Sequence, residues 1–259
     1  APSGDGGRRR GYRKEGSSMS ENESGRKPVT RDEIIYRLQT DPEYLESMVS
    51  GDAEFNEARK RNREAAAPLV ADLAQAGYPV NSADQLRHSI RTGCIYRSAI
   101  PILLHWLPRM DNVDVREGIV RALSVPWAKP AATPALIEEF RNPPPDSNGS
   151  YRWAVGNALW AIADDTFFDE IVELVTDRKY GRARQMPVMW LGKSKNPKAV
   201  DVLIGLLGDE DVTVHALSSL KRLKPKRARA AIEPLLDHPT KWWRDEAKKT
   251  IDRIDKAGK

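Results

Sequence analysis

The sequence is poor in cysteine and histidine, and it lacks a long hydrophobic run. A single cysteine, Cys94, stands among 259 residues, so no disulfide can form within the chain and a disulfide-rich secreted scaffold is excluded. That thiol and the four scattered histidines make no zinc-ligand pattern. No apolar run approaches the roughly 18–20 residues of a membrane span, which excludes a transmembrane protein. We therefore expect no metal, no cofactor and no membrane partner.

Motifs of familiar enzyme sites are missing as well. The sequence contains no Gly-rich phosphate loop, no HExxH and no GxSxG. Its paired acids, such as Glu138–Glu139 and Asp164–Asp165, are adjacent in sequence, so the two carboxylates of a pair do not face each other across a site. Acid–base catalysis is unsupported, and we expect a protein that is not an enzyme.

The N-terminal stretch, residues 1–28, is polar and is typical of a disordered leader. The codons of Lys14, Glu15 and Gly16 can form a purine run that resembles a bacterial ribosome-binding site, two codons before Met19. We hypothesise that translation starts at Met19 and that residues 1–18 are not native. A genuine basic tail is the alternative.

Charge is distributed unevenly along the chain. Residues 19–176 hold 17 Lys/Arg and 24 Asp/Glu, whereas residues 177–259 hold 20 Lys/Arg and 11 Asp/Glu. Basic residues are therefore concentrated in the C-terminal third, which makes that part of the chain a candidate surface for an acidic partner.

Helix signals dominate after Pro28, and strand signals are nearly absent. We predict an N-terminal helical cap over residues 29–95, with helices that begin near Thr30, Pro42 and Asp52 and a short helix after Ser82. From residue 96 the chain repeats itself: five helix pairs fill residues 96–255 and leave a tail at 256–259. The helices of successive pairs begin at Ala99 and Val115, Thr133 and Tyr151, Phe167 and Ala183, Ala199 and Val212, and Ala228 and Trp243.

The second helices of the pairs share one register. Equivalent apolar positions, 29 to 36 residues apart, are Leu123, Leu159, Leu191, Leu220 and Ile251. A small residue precedes several of them, but Trp190 takes that place in the third pair, whose second helix also contains Pro187; we expect a kink there. Because a pair of about thirty residues cannot bury both of its apolar stripes alone, successive pairs must stack.

The fourth pair reads Leu-Leu-x-Asp-x-x-x-x-Val and continues with Ala-Leu-x-x-Leu, over residues 206–220. This pattern resembles HEAT repeats, especially the short bacterial kind related to phycobilin-lyase repeats. The resemblance covers about residues 96–255 and implies an all-α, right-handed α-solenoid that grips another macromolecule on its concave, second-helix face. Thr213 departs from the pattern, because the other second helices carry Arg at this position.

We accordingly expect a non-enzymatic, cytoplasmic scaffold that binds a protein partner. The alternative is a nucleic-acid-binding protein, or a DNA-repair protein similar to HEAT-like alkylpurine glycosylases, whose groove holds Trp, Asp and Arg side chains around a damaged nucleotide. Trp160 and Asp164 stand four residues apart on one helix, although Asp164 more simply caps the next helix. Steep loss of binding with rising salt would favour the nucleic-acid alternative.

The alignment of the second helices also predicts which side chains face away from the core. These candidate groove residues are Glu117, Arg121, Trp153, Asn157, Trp160, Gln185 and Met189. Trp153 and Trp160 lie on one helix face, and partly exposed aromatic residues are enriched at interface hot spots. Alternatively, both tryptophans pack against the cap or against a neighbouring pair.

Basic residues cluster where the second helices end. This candidate basic edge consists of Lys193, Lys195, Lys221, Arg222, Lys224, Lys226, Arg227 and Arg229. In a solenoid these charges would form a strip that neutralises phosphates or meets an acidic protein. Compensation of the helix dipoles explains the same pattern without any partner.

Overall fold

The computed structural model describes residues 30–31, 35–36, 40–145 and 149–258. The expected leader, with the question of Met19, lies outside the described residues, as does most of the helix expected after Thr30. The chain divides into two compact units, residues 1–55 and 56–259. In the first unit, the chain is helical from Pro42 onward.

All regular structure in the described ranges is helical, which confirms the all-α prediction. The α-helices are α1 (Pro42–Gln75), α2 (Ala83–Ser89), α3 (Ala99–Trp106), α4 (Val113–Leu123), α5 (Ala132–Arg141), α6 (Ser150–Ile162), α7 (Phe168–Thr176), α8 (Gln185–Leu191), α9 (Ala199–Gly205), α10 (Thr213–Leu223), α11 (Arg229–Ile232) and α12 (Lys241–Ala257). From α3 onward, each helix begins within two residues of the position that the sequence predicts. Short 3-10 turns extend several of them, including α3 and α11.

Helix α1 is longer than the sequence predicts. It runs without a break through Gly51 and Asp52, where a separate helix was expected to begin. A single Gly or Asp inside a helix costs about 1 kcal/mol or less, whereas a second helix requires a new and costly nucleus. One continuous helix is therefore favoured over two helices, the second of which would begin at Asp52.

The backbone irregularity that we expected at Pro187 occurs earlier in the chain. The irregular backbone is at Gly181, with φ 51° and ψ −137°, in the 3-10 segment that precedes α8. Helix α8 begins at Gln185, so Pro187 falls in its first turn, where the missing N–H would have had no partner within the helix.

The second helices pack on one another in chain order within residues 56–259. Helix α2 contacts α4, and α4, α6, α8, α10 and α12 then contact each other in succession. Hydrogen bonds join neighbouring second helices from the aligned donors Trp190 and Ser219. Trp190 Nε1 donates to the Ala163 carbonyl at 2.8 Å, and Ser219 Oγ donates to the Val188 carbonyl at 3.0 Å. The position aligned for small residues therefore serves as the point of contact with the preceding second helix.

The predicted core register is confirmed. Leu123, Leu159, Leu191 and Leu220 are fully buried, and Ile251 is 6% exposed. They belong to one continuous apolar core that extends from Ala66 to Ile254.

Ion pairs cross every junction between consecutive helix pairs. At each junction a basic residue of the earlier pair contacts an acidic residue of the later one at 2.7–2.8 Å. In chain order these are Arg116–Glu139, Arg141–Glu173, Arg184–Asp209 and Lys221–Glu246. Consecutive helix pairs are thus joined by ion pairs as well as by apolar packing.

Candidate partner-binding surface

Trp153 is an exposed aromatic residue at the start of a second helix. It lies in the first turn of α6 and is 47% exposed. Asn157, one turn later, donates its side-chain amide to the Trp153 carbonyl at 2.8 Å. The tryptophan is therefore presented from a helix rather than from a loop.

A cavity of about 450 Å³ lies beside Trp153. Tyr180, Arg152 and Arg182 contribute to its wall. The Arg152 guanidinium lies 5.2 Å from the centre of the Tyr180 ring, and its Nε donates to the Phe140 carbonyl at 2.9 Å. Arg182 is far more exposed, with a side chain 84% accessible and a loose contact of 3.8 Å to Asp211. The site therefore combines an aromatic side chain, a concavity and an exposed positive charge.

Trp160, two turns along the same helix, has a different environment. Its side chain is half-buried against the core, and the Lys193 ammonium lies 3.5 Å from its ring centre. Lys193 Nζ also donates to the Trp160 carbonyl at 3.0 Å. The indole N–H of Trp160 is buried and has no acceptor among the described residues. The two tryptophans lie seven residues apart on α6, but Trp160 is covered by Lys193 from the segment after α8, whereas Trp153 is exposed.

The remaining candidate groove residues are half-buried. Glu117 and Arg121 form an ion pair within α4, and Gln185 Nε2 donates to the Asp211 carbonyl at 3.0 Å. Met189 lies against Ser219, whose Oγ is 3.9 Å from its sulfur. These side chains lie on α4 and α8, which pack against α6, and they are partly occupied by internal contacts.

The candidate basic edge separates into two groups. Lys221, Arg227 and Arg229 pair with carboxylates of Glu246, Asp201 and Asp255 at 2.7–3.0 Å. Lys226 reaches the Gly258 carbonyl at 3.5 Å. Over the described ranges, no carboxylate lies within ion-pair distance of the other four, which are Lys193, Lys195, Arg222 and Lys224.

Two pKa shifts mark the difference between these groups. Burial opposes ionisation of Glu246, but hydrogen bonds from Lys221 and Lys249 outweigh it and hold the pKa of this carboxyl below its usual value. The pKa of Lys193 is lowered, first by burial and then by the charges of Arg222 and Lys129. Lys193 therefore lies in a locally positive environment. Sequence reasoning missed Lys129, because it follows a 3-10 turn and not a helix end.

The adjacent acids Asp164 and Asp165 make different local contacts. Asp164 accepts from the Thr166 backbone N–H at 3.0 Å, so it caps the turn before α7 as predicted. Its neighbour Asp165 accepts from Ser194 Oγ and from the Lys195 backbone N–H. Within the part of the chain that the structure describes, no cluster of His, Cys, Asp and Glu is suited to a metal ion. No helix there is both long and apolar enough to cross a membrane.

Comparison with known proteins gives no assignment. The sequence matches no protein-family model, and no curated protein matches it. The functional assignment therefore depends on the residues themselves.

Proposed function

We propose that residues 96–255 form a right-handed α-solenoid of HEAT-like repeats. The supporting observation is that α4, α6, α8, α10 and α12 pack in chain order over one continuous core. In repeat proteins of this kind each unit contacts only its neighbours, and the stacked helices offer an extended binding face.

In this arrangement the protein acts as a non-enzymatic, cytoplasmic scaffold that binds a protein partner through its second-helix face. Trp153 carries the proposal, because it is 47% exposed beside a cavity of about 450 Å³. Hot spots are enriched in Trp, Tyr and Arg, and this site presents the exposed side chains of Trp153 and Arg182 beside the buried Tyr180. A partner side chain that fills the cavity would bury Trp153.

Nucleic-acid binding is the second candidate, favoured by Lys193, Lys195, Arg222 and Lys224 on the basic edge. It ranks below the first because Lys221, Arg227 and Arg229 already pair with carboxylates. Fewer free cations remain to replace the counterions of a nucleic-acid backbone.

The test compares two exposed tryptophans. Partners are captured on the immobilised chain from native lysate, with and without nuclease, and the purified partner is then titrated by calorimetry. Trp153→Ala should weaken binding by roughly thirtyfold or more, as expected for a desolvated aromatic anchor. Trp242→Ala is the matched control, because Trp242 is 57% exposed on the last helix and away from the cavity.

Equal affinity of the Trp153→Ala and Trp242→Ala proteins would contradict the proposal. Capture that disappears after nuclease treatment, together with binding that weakens steeply with salt, would favour the nucleic-acid candidate instead.

A further inference from the structure

Two arginines line the cavity beside Trp153, and they reach it from different helix pairs. Arg152 lies in the first turn of α6, next to Trp153, whereas Arg182 belongs to the 3-10 segment that precedes α8. Between Tyr180 and Arg182 the backbone turns at Gly181, whose φ of 51° favours glycine. A buried tyrosine and an exposed arginine, two residues apart, thus line the same cavity.

The guanidinium of Arg152 is held in place by its neighbours. Its Nε donates to the Phe140 carbonyl at 2.9 Å, and its central carbon lies 5.2 Å from the centre of the Tyr180 ring. Within the described chain, the two terminal nitrogens of Arg152 make no hydrogen bond and no ion pair. The position of this charge is therefore fixed, while its remaining N–H donors are available to a ligand.

The charge of Arg182 is poorly compensated as well. Among the carboxylates that the structure describes, only Asp211 lies within ion-pair distance, at 3.8 Å, and that carboxylate is shared with Arg184. None of the described residues that line the cavity is acidic. Two positive charges therefore border a concave surface that contributes no carboxylate, an arrangement that attracts an anionic group.

A second cavity, of about 330 Å³, shares Tyr180 with the first but has balanced charge. Its basic residues are paired with its acids: Arg141 with Glu173 at 2.7 Å, and Lys179 with Asp177 at 2.8 Å. The uncompensated positive charge is therefore a property of the first cavity and not of the second.

We propose that the cavity beside Trp153 binds an acidic segment of the protein partner, whose Asp or Glu carboxylate enters beside Arg152 and Arg182. This inference rests on the proposed scaffold function and adds the chemistry of the partner. A guanidinium presents a planar fork of donors that matches a carboxylate, and such bonds are roughly twice as strong as those between neutral groups. An apolar side chain next to the acid would cover Trp153, which is 47% exposed, and would remove its apolar surface from water.

A nucleic-acid strand fits this site less well, although bases can stack on an exposed tryptophan. A strand carries a negative charge at every nucleotide. Along this surface it would meet Asp211 beside Arg182, and Glu173 and Asp177 at the second cavity. A localised positive site therefore matches a side-chain carboxylate better than a continuous phosphate backbone.

The test is a selection from a phage-displayed library of random peptides on the immobilised full chain, run in parallel on the Trp153→Ala protein. Peptides whose capture depends on Trp153 should carry Asp or Glu next to an aromatic or aliphatic residue. One such peptide is then synthesised with a fluorescent label and titrated by anisotropy, beside a version in which Asn or Gln replaces the acid. The neutral version should bind about tenfold more weakly or worse, because charge-assisted hydrogen bonds are lost.

Substitutions in the chain assign the effect to the two arginines. Arg152→Gln should weaken the acidic peptide by about tenfold or more, whereas Arg152→Lys, which keeps the charge but loses the fork, should fall between that variant and the parent. Arg182→Gln should weaken it about two- to fivefold, as expected for an exposed charge pair, with an unchanged Tm. Arg178→Gln is the matched control, because Arg178 is a 76% accessible arginine of the same 3-10 segment that does not line the cavity. It should bind as the parent does.

Trp153-dependent peptides that are neutral or basic would overturn this inference and leave the scaffold function standing. A library that yields no Trp153-dependent peptide would contradict the scaffold function as well. Equal affinities of the Arg182→Gln and Arg178→Gln proteins would also overturn the inference, and so would an oligo(dT) strand that displaces the acidic peptide and binds more tightly than it does.

Discussion

Arg184 clamps Asp209 through both of its carboxylate oxygens, although the two residues belong to different helix pairs. Arg184 Nη1 lies 2.8 Å from Oδ2 and Nη2 lies 3.2 Å from Oδ1, and the arginine is fully buried. The remaining donors reach the Val175 and Gly181 carbonyls. Hydrogen bonding from Arg184 holds the pKa of Asp209 below its ordinary value of 3.8, against the opposing effect of burial. The pair therefore links the third repeat to the fourth.

Removal of one partner of this pair should be strongly destabilising. Asp209→Ala leaves the buried guanidinium of Arg184 with Asp211, which is 3.5 Å away and partly exposed, as its remaining carboxylate. Loss of one partner of a buried ion pair typically costs about 3–5 kcal/mol. Asp201→Ala is the control, because Asp201 and Arg227 form an exposed pair, expected to contribute at most about 1 kcal/mol. Urea unfolding followed by circular dichroism measures both. Similar losses for the two variants would contradict the assigned role.

The same pair predicts a pH dependence. Because the folded-state pKa of Asp209 is lowered, its contribution is fully present above pH 3.8 and is lost as the pH falls through the folded-state pKa. Glu246 acts in the same direction from its ordinary value of 4.5. We expect the urea midpoint to fall as the pH drops below about 4.5, and to fall less steeply in Asp209→Asn. Parallel curves for the two proteins would refute this.

Two glycine substitutions should have opposite effects. A Cβ on Gly156 would lie 2.8 Å from the Ala183 carbonyl oxygen, so Gly156→Ala should cost about 1–3 kcal/mol by overpacking. Gly205 has open space around it and a helical φ of −61°, so Gly205→Ala should be neutral or stabilise by up to about 1 kcal/mol. Thermal melts of the two proteins give the comparison. A stabilised Gly156→Ala protein would show that α6 and the start of α8 are not so close.

Two tryptophans with a buried indole N–H allow a further comparison. Trp190→Phe removes the donor to the Ala163 carbonyl and should cost about 1–3 kcal/mol. Trp160→Phe removes a buried N–H that has no acceptor in the described chain, so its cost should stay within about 1 kcal/mol. Chemical denaturation with an unchanged m-value would report both. The reverse order of stability would mean that Trp160 has a partner.

A comparison within α6 separates folding from binding. Leu159 is fully buried, so Leu159→Ala should cost about 2–5 kcal/mol. Trp153 is 47% exposed, and Trp153→Ala should change the free energy of unfolding by less than about 1 kcal/mol. Differential scanning calorimetry distinguishes the two. A large drop in Tm for Trp153→Ala would make this tryptophan a structural residue.

Periodicity predicted the helices and the core well, but it predicted the surface less completely. Leu123, Leu159 and Leu220 are buried as their spacing indicates, because a helical stripe is a local property of the sequence. The covering of Trp160 by Lys193 joins residues 33 positions apart, so no local pattern reports it. For the same reason, Lys129 was missed and the neutralisation of Lys221 by Glu246 was not foreseen. Side-chain partners are chosen by tertiary proximity, which spacing alone does not specify.

The chain of ion pairs across the junctions means that the helix pair is not a self-contained module. A shortened chain that stops at Gly208, at the end of a first helix, would leave Arg184 without either of its carboxylate partners. A chain that continues past Asp211 would retain both Asp209 and Asp211. A helix pair that is added to the chain must therefore supply an acidic residue for the basic residue of the preceding pair and a basic residue for the acidic residue of the following pair. If a helix pair is deleted, the two pairs that become neighbours must match in the same way. The segment that can be exchanged therefore extends from one of these ion pairs to the next, and its ends do not coincide with the ends of a helix pair.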